Sequence, residues 1–133
     1  MVSTTGKYAL RILGCLVGHP DKIMLAKEIA AETGVPANYS SKILNQLRKK
    51  GLVRSRKGWG GGFMIEPQAL SARISQVLEL FEGQSKETVC ALGLAPCGSE
   101  KPCPMHGHWQ RICNEYREML DEVSIGDLPT RAA

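Results

Sequence analysis

No stretch of this chain is apolar for anything near the roughly 18 residues that a membrane-spanning helix requires, so no transmembrane helix and no membrane partner are expected. The N-terminus, Met1-Val2-Ser3-Thr4-Thr5-Gly6-Lys7, lacks a charged region followed by an apolar core and a small-residue cleavage site. No signal peptide is therefore expected, and the expected location is the cytoplasm. Aromatic residues are few, with two Trp, three Tyr and two Phe. The hydrophobic fraction, 43%, is nevertheless that of an ordinary globular protein. There is no internal repeat and no low-complexity tract. Paired carboxylates and a nucleophile–base constellation are also absent, which argues against an enzyme. Acidic residues are missing altogether between Glu32 and Glu66.

That acid-free stretch holds Lys42, Arg48, Lys49, Lys50, Arg54, Arg56 and Lys57. The formal charge of +4 is thus concentrated in one block, and the remainder of the chain is net acidic. A one-signed basic block inside a folded region favours a polyanion partner.

With 133 residues the chain suffices for one compact domain, or for a small domain plus one long helix. Tyr8, Ala9, Ile12, Leu13, Leu16 and Val17 recur at helical spacing and predict a first helix over 7–17, stopped by Gly18-His19-Pro20. Ile23-Met24-Leu25 reads as a short extended piece. A second helix is expected over 25–33, with Gly34 just past its end. A third runs from about Pro36 to Lys50, with Tyr39, Ile43, Leu44 and Leu47 as its apolar stripe. Two short strands, 52–55 and 63–65, flank the glycine-rich tip Arg56-Lys57-Gly58-Trp59-Gly60-Gly61-Gly62. Those glycines follow no strand–helix arrangement suited to a nucleotide, and the acidic ribose partner is missing. Helix, helix, short glycine turn, helix and hairpin together spell a winged helix-turn-helix. The fold class is accordingly mainly α with a small β-hairpin wing.

The third helix opens with Asn38, Ser40, Ser41 and Lys42, groups suited to base edges in a major groove. Arg48, Lys49 and Arg54 are placed for phosphates, and Arg56 and Lys57 at the wing tip for a minor groove. Double-stranded DNA is the expected partner.

A fourth helix is expected over 74–81, and a last, long one from about Met105 to Ser124. Trp109, Ile112, Cys113, Tyr116, Met119, Leu120 and Val123 mark a coiled-coil-like seam on the last helix, so a homodimer is expected, with Trp109, Ile112, Tyr116, Leu120 and Val123 at its interface. The resulting division is a DNA-binding domain over 1–83, a cysteine-rich loop over 84–104, a dimerisation helix over 105–128 and a tail over 129–133.

Five cysteines in a cytosolic chain are expected to be reduced, and an odd count does not suit an all-disulfide scheme. Three of them, with one histidine, follow the spacing C-x6-C-x5-C-x2-H: Cys90, Cys97, Cys103 and His106. Thiolates and an imidazole on irregular backbone suit an iron–sulfur cluster or a zinc ion. The short C-x2–4-C knuckle of structural zinc sites is lacking, which favours iron–sulfur over zinc. A metal-free thiol switch is a third reading, and an electron carrier with a basic docking patch a fourth. Cys15 and Cys113 fall on apolar helix faces and read as packing residues. His108 points to solvent or an interface, and His19 reads as a loop residue.

The segments Lys7-Tyr8-Ala9-Leu10-Arg11, Glu28-Ile29-Ala30, Val35-Pro36-Ala37-Asn38-Tyr39, Leu47-Arg48-Lys49-Lys50-Gly51-Leu52-Val53 and Gly60-Gly61-Gly62-Phe63 carry a family likeness. From about Thr4 to Leu128 the chain resembles the IscR/NsrR/RirA family of bacterial winged-helix regulators. The resemblance implies a dimeric transcription regulator that binds a palindromic operator and senses iron, redox state or nitric oxide through an iron–sulfur cluster. It implies Asn38, Ser41 and Lys42 as base-reading residues, Lys57 at the wing, and Cys90, Cys97 and Cys103 as cluster ligands. His106 matches the fourth ligand of the [2Fe–2S] type, while Lys7 stands where the nitric-oxide sensors have a carboxylate. A [2Fe–2S] cluster is thereby favoured over [4Fe–4S]. Two departures are Trp59, where the family commonly has a wing proline, and base-contacting positions that differ from those of IscR, so that its operator does not carry over; the first cysteine spacing is also one residue longer than in IscR.

Overall fold

The computed structural model describes residues 2–83, 91–92 and 103–129. Helix α1 spans Thr4–Val17, and its first turn is capped by the Ser3 hydroxyl, which accepts the Gly6 N–H at 3.0 Å. Ala9, Ile12, Leu13 and Leu16 recur every third or fourth residue, so they share one face, and all are fully buried. Helix α2 (Ala26–Thr33) and helix α3 (Ala37–Lys49) pack on that face. Their connection is sewn by Thr33. Its hydroxyl donates to the Ile29 carbonyl at 2.7 Å and accepts the Val35 N–H at 3.3 Å. Gly34 takes a left-handed φ of 73°, and Pro36 then opens α3.

Strands β1 (Val53–Arg56) and β2 (Gly62–Ile65) pair antiparallel, with Val53 opposite Ile65 and Arg56 opposite Gly62. The extended piece expected around Met24 joins them. Met24 and Phe63 exchange both backbone hydrogen bonds at 2.8 Å. This third backbone holds the base of the hairpin against the helices. A short 3-10 turn, Pro67–Ser71, which the sequence reading left unassigned, leads into helix α4 (Ile74–Glu82).

Helix α5 runs from His106 to Glu122 and then stops abruptly. Val123 is extended, and its carbonyl accepts the Ile74 N–H at 3.0 Å. Two residues on, the Ile125 N–H donates to the Ala72 carbonyl at 2.9 Å. Ile125 is fully buried, in a second 3-10 turn (Ile125–Asp127). Full burial of such a side chain stabilises by about 1.5–3 kcal/mol, enough to pin the chain end to the head. The segment continues across α1 at Gly14, where a Cβ would lie 2.5 Å from the Pro129 carbonyl oxygen. A glycine inside a helix costs roughly 1 kcal/mol relative to alanine; here it lets the returning backbone pass. Thus the stretch expected to continue the last helix to Ser124 instead folds back on α1 and the start of α4. Among the described residues no helix is long and apolar enough to cross a membrane.

Candidate nucleic-acid interface and ligand loop

Helix α3 shows two clean faces. Ser40, Ile43, Leu44 and Leu47 point inward, at offsets 0, 3, 4 and 7. Asn38, Ser41, Lys42, Asn45, Arg48 and Lys49 all point to solvent. Asn38, Ser41, Lys42 and Asn45 share one stripe, since they too are spaced by three or four. Arg48 and Lys49 occupy the last turn, where the negative end of the helix dipole favours cations.

Two positions of α3 differ from expectation. Ser40, expected to contact DNA, is 0% exposed, and its hydroxyl has no hydrogen-bond partner among the described residues. Tyr39, expected in the apolar stripe, is 48% exposed. The reason is helical phase. Residue 40, not 39, lies three, four and seven positions before Ile43, Leu44 and Leu47. Tyr39 instead meets Tyr8 of α1, ring centroids 6.0 Å apart, and Arg11 stacks over that Tyr8 ring at 6.0 Å. Arg11 is therefore an exposed cation beside the start of α3, outside the basic block of the sequence. Only the pairing of two aromatic residues from different helices brings it there, and spacing along the chain carries no signal of that pairing.

The wing places Arg56 and Lys57 in solvent at the hairpin end. Arg54 differs. Its Nε donates to Glu66 Oε1 at 2.7 Å and a terminal nitrogen donates to Oε2 at 3.2 Å, a two-pronged pair across the hairpin base. That hydrogen bond holds the Glu66 carboxyl below the usual carboxylate range and raises the Arg54 guanidinium. Arg54, expected at a phosphate, is thus engaged within the chain. The sequence could not show it, because Glu66 closes the acid-free stretch and lies across the sheet.

Of the four expected metal ligands, Cys103 and His106 are described; Cys90 and Cys97 lie outside the described residues. Cys103 is a free, half-buried thiol. His106 is the first residue of α5, and its N–H donates to the Cys103 carbonyl at 3.0 Å. These two donors therefore share one turn at the helix entrance. Among the described residues no group of three or more His, Cys, Asp or Glu is arranged to hold a metal. The half of the donor set that is described fits a soft metal group in chemistry and placement: a thiol and an imidazole, both partly accessible, on one turn.

The remaining thiols behave differently. Cys15 and Cys113 are buried, as packing residues should be. Burial first, and the hydrogen bond to Glu32 second, push the Cys15 thiol up to about 12. The Glu32 carboxylate accepts from Cys15 with one oxygen and faces His19 Nε2 at 3.0 Å with the other, and it is held below its ordinary value chiefly by the Cys15 contact. His19 is thus tied to Glu32. His108 is exposed, with Nδ1 2.7 Å from an Arg111 nitrogen.

The expected seam of α5 divides. Cys113 is buried, and Leu120 and Val123 pack against the core formed chiefly by α1–α4. Tyr116 is half-buried beside α4; burial first, and the Glu82 carboxylate second, raise its phenol. Ile112 and Met119, seven residues apart and so on one line of the helix, stay 50% and 49% exposed. Leu120 and Val123, expected at a dimer interface, are therefore occupied inside their own chain, because Val123 leaves the helix to pair with α4.

This arrangement defines a winged helix-turn-helix protein with a polar, solvent-facing stripe on α3 and an appended C-terminal helix. The chain belongs to the Rrf2 family: the family's profile, described as "Iron-dependent Transcriptional regulator", matches residues 2–131. An Aquifex aeolicus protein named as an HTH-type transcriptional regulator is 30% identical over 128 residues, covering 95% of this chain and 89% of that one. The transcriptional regulator IscR of Vibrio atlanticus is 26% identical over 129 residues, covering 96% of this chain and 73% of IscR. In structure the chain is similar to CymR, the global cysteine regulator of B. subtilis. The TM-score is 0.77 at 23% identity, covering 96% of this chain and 95% of CymR, a likeness of fold.

Proposed function

We propose that this chain is a cytoplasmic, homodimeric transcription regulator that binds a palindromic duplex operator and is switched by an iron–sulfur cluster. The observation that carries the DNA reading is the solvent-facing stripe of α3, Asn38, Ser41, Lys42 and Asn45, with Arg56 and Lys57 on the neighbouring wing. Asn and Lys are matched to adenine and guanine edges, and the surrounding cations to phosphates. Arg11 adds a cation beside the start of α3. Two copies related by a two-fold axis present two such stripes to two half-sites.

Cys90, Cys97 and Cys103 would hold the cluster, with His106 as fourth ligand, the set that favours [2Fe–2S]. When bound, the cluster would supply a group whose stability and charge respond to oxidants, iron supply or nitric oxide. The residues of the chain do the rest. His106 ties the ligand turn to the first residue of α5, while Val123 and Ile125 tie the far end to α4 and the head. A change at the ligand turn is therefore delivered along a rigid helix to the DNA-binding unit. Zinc in the same donor set, or a switch made of the loop thiols alone, is the competing reading. Cys15 is a poor candidate for such a switch, since its thiol stays protonated at neutral pH.

Anaerobically purified protein tests the reading. Visible absorption with stoichiometric iron and sulfide is the expected result; a colourless protein holding zinc overturns the cluster. Cys90→Ala, Cys97→Ala and Cys103→Ala should each lose the colour, His106→Ala should alter the spectrum, and Cys15→Ala and Cys113→Ala should keep it. Loss of iron in the loop variants without any change in DNA affinity would remove the switch.

A further inference from the structure

The wing ends in a tryptophan that no described residue covers. Trp59 is the most exposed large apolar side chain among the described residues, at 105% of its reference area. Its place is built. Gly58 and Gly60 on either side take left-handed φ values of 92° and 73°, which an L side chain resists. The Gly61 N–H closes the turn on the Gly58 carbonyl at 3.0 Å, and Gly61 itself is buried against the Arg56 carbonyl, where a Cβ would collide. The turn therefore holds the indole outward instead of letting it fold back on the hairpin. Arg56 and Lys57 stand next to it in solvent, and the sequence from 33 to 65 contains no carboxylate to repel a polyanion.

A large aromatic ring gains from burial, so a ring held outward by its turn is available to a partner that covers it. The flanking cations make that partner a nucleic acid duplex. The indole has a single donor and no acceptor, which suits stacking better than base-edge readout.

Resting on the DNA-binding reading above, we propose that Trp59 is a minor-groove wedge. The ring enters the groove, about 6 Å wide, edge-on and inserts partway between base pairs, while Arg56 and Lys57 hold the phosphates beside it. Pyrimidine–purine steps unstack most easily, so the wing selects a deformable step outside the segment that α3 contacts. It thus contributes specificity without a hydrogen bond to any base.

The test uses the full-length chain and a random-sequence duplex pool. Wild-type protein selects duplexes enriched in a TpA or CpA step at a fixed distance from the half-site. Trp59→Ala keeps the half-site and loses the step; Trp59→Phe keeps part of it. On the wild-type-selected duplex, Trp59→Ala binds about tenfold more weakly, as removal of one base–aromatic stack implies, with an unchanged salt slope because no charge is lost. Lys57→Ala lowers the slope instead. In a Trp109→Phe background, Trp59 emission is quenched on binding a TpA-containing duplex and less on an A-tract duplex. If Trp59→Ala selects the same sequences with the same affinity, or if Trp59 emission is unmoved in a bound complex, the wedge is wrong. If wild type selects no duplex at all, the DNA-binding reading falls and takes the wedge with it.

Discussion

Helices α3 and α5 are both amphipathic, yet they end in opposite situations. In α3 every inward apolar residue finds the core: Ile43, Leu44 and Leu47 are essentially inaccessible, and what remains outside is polar or cationic apart from Ala37 and Tyr39. In α5 only Cys113 is buried, and Ile112 and Met119 remain half in water. The difference teaches what each helix is for. A helix whose apolar side is satisfied within its own chain is free to offer a polar face to another kind of molecule. A helix left with an apolar line offers it to a second apolar surface, which the proposed dimer would supply with a second copy of the same line.

The largest expected effect breaks the satisfied side. Leu44→Ala leaves a cavity in the fully buried face of α3 and should cost about 2–5 kcal/mol in urea unfolding. A cost near zero would mean that α3 is not packed as described. On the unfinished side, Ile112→Asp with Met119→Asp should leave the fold of the head intact and weaken self-association by about 2 kcal/mol or more. Sedimentation showing an unchanged dimer would place the interface elsewhere.

Next in size are the outward residues of α3. Asn38→Ala and Lys42→Ala should each lose about 1–3 kcal/mol on a selected duplex and relax its sequence. Arg48→Ala or Lys49→Ala should weaken all duplexes alike and reduce the salt slope by about one. Ser40→Ala provides the internal control, since it removes a buried hydroxyl that has no described partner. It should leave DNA affinity unchanged and raise stability by about 1 kcal/mol. A loss of DNA affinity in Ser40→Ala would contradict the phase of the helix.

The smallest effects are electrostatic. Glu28, Glu32, Glu66 and Asp127 all have carboxyls below their ordinary values, held there by hydrogen bonds to Leu25, Cys15, Arg54 and Ser124 respectively. Their contribution to stability is complete above the unfolded carboxylate value of about 4 and is lost as pH falls through the lower folded values. A series of urea midpoints should be flat from neutrality down to that range and then decline. The Glu66→Gln variant should decline less, because the Arg54 pair is already gone. In the same protein Cys15 should resist iodoacetamide at neutral pH. Rapid alkylation at position 15 would show that its contact with Glu32 does not persist.

The course of the chain, from α1 to the wing and on to a terminal helix, was legible because each element announces itself locally. Apolar residues recur with period 3.6, glycines follow the helix ends, and a glycine-rich tip separates two short runs. Local signals ran out where partners come from afar. The early end of α5 depends on backbone hydrogen bonds to Ala72 and Ile74, and the 3-10 turn at Pro67–Ser71 lies between two residues bonded to distant segments, Glu66 to Leu52 and Ala72 to Ile125. The spacing of Cys90, Cys97, Cys103 and His106 is equally plain in the sequence; the structure describes Cys103 and His106 on one turn and leaves the ligand reading as a proposal.

By itself the sequence determined the family, the order of elements and the basic block, because these depend on residue type and spacing alone. Only the tertiary structure decided how those residues are spent. It turned Ser40 inward and Tyr39 outward, since one residue of helical phase is a rotation of about 100° and only a neighbouring helix settles which face is covered. It engaged Arg54 with Glu66 across a hairpin, and it packed Leu120 and Val123 against the core while leaving Ile112 and Met119 half in water. An apolar or charged side chain shows what it can bind; which partner reaches it first is a matter of packing geometry.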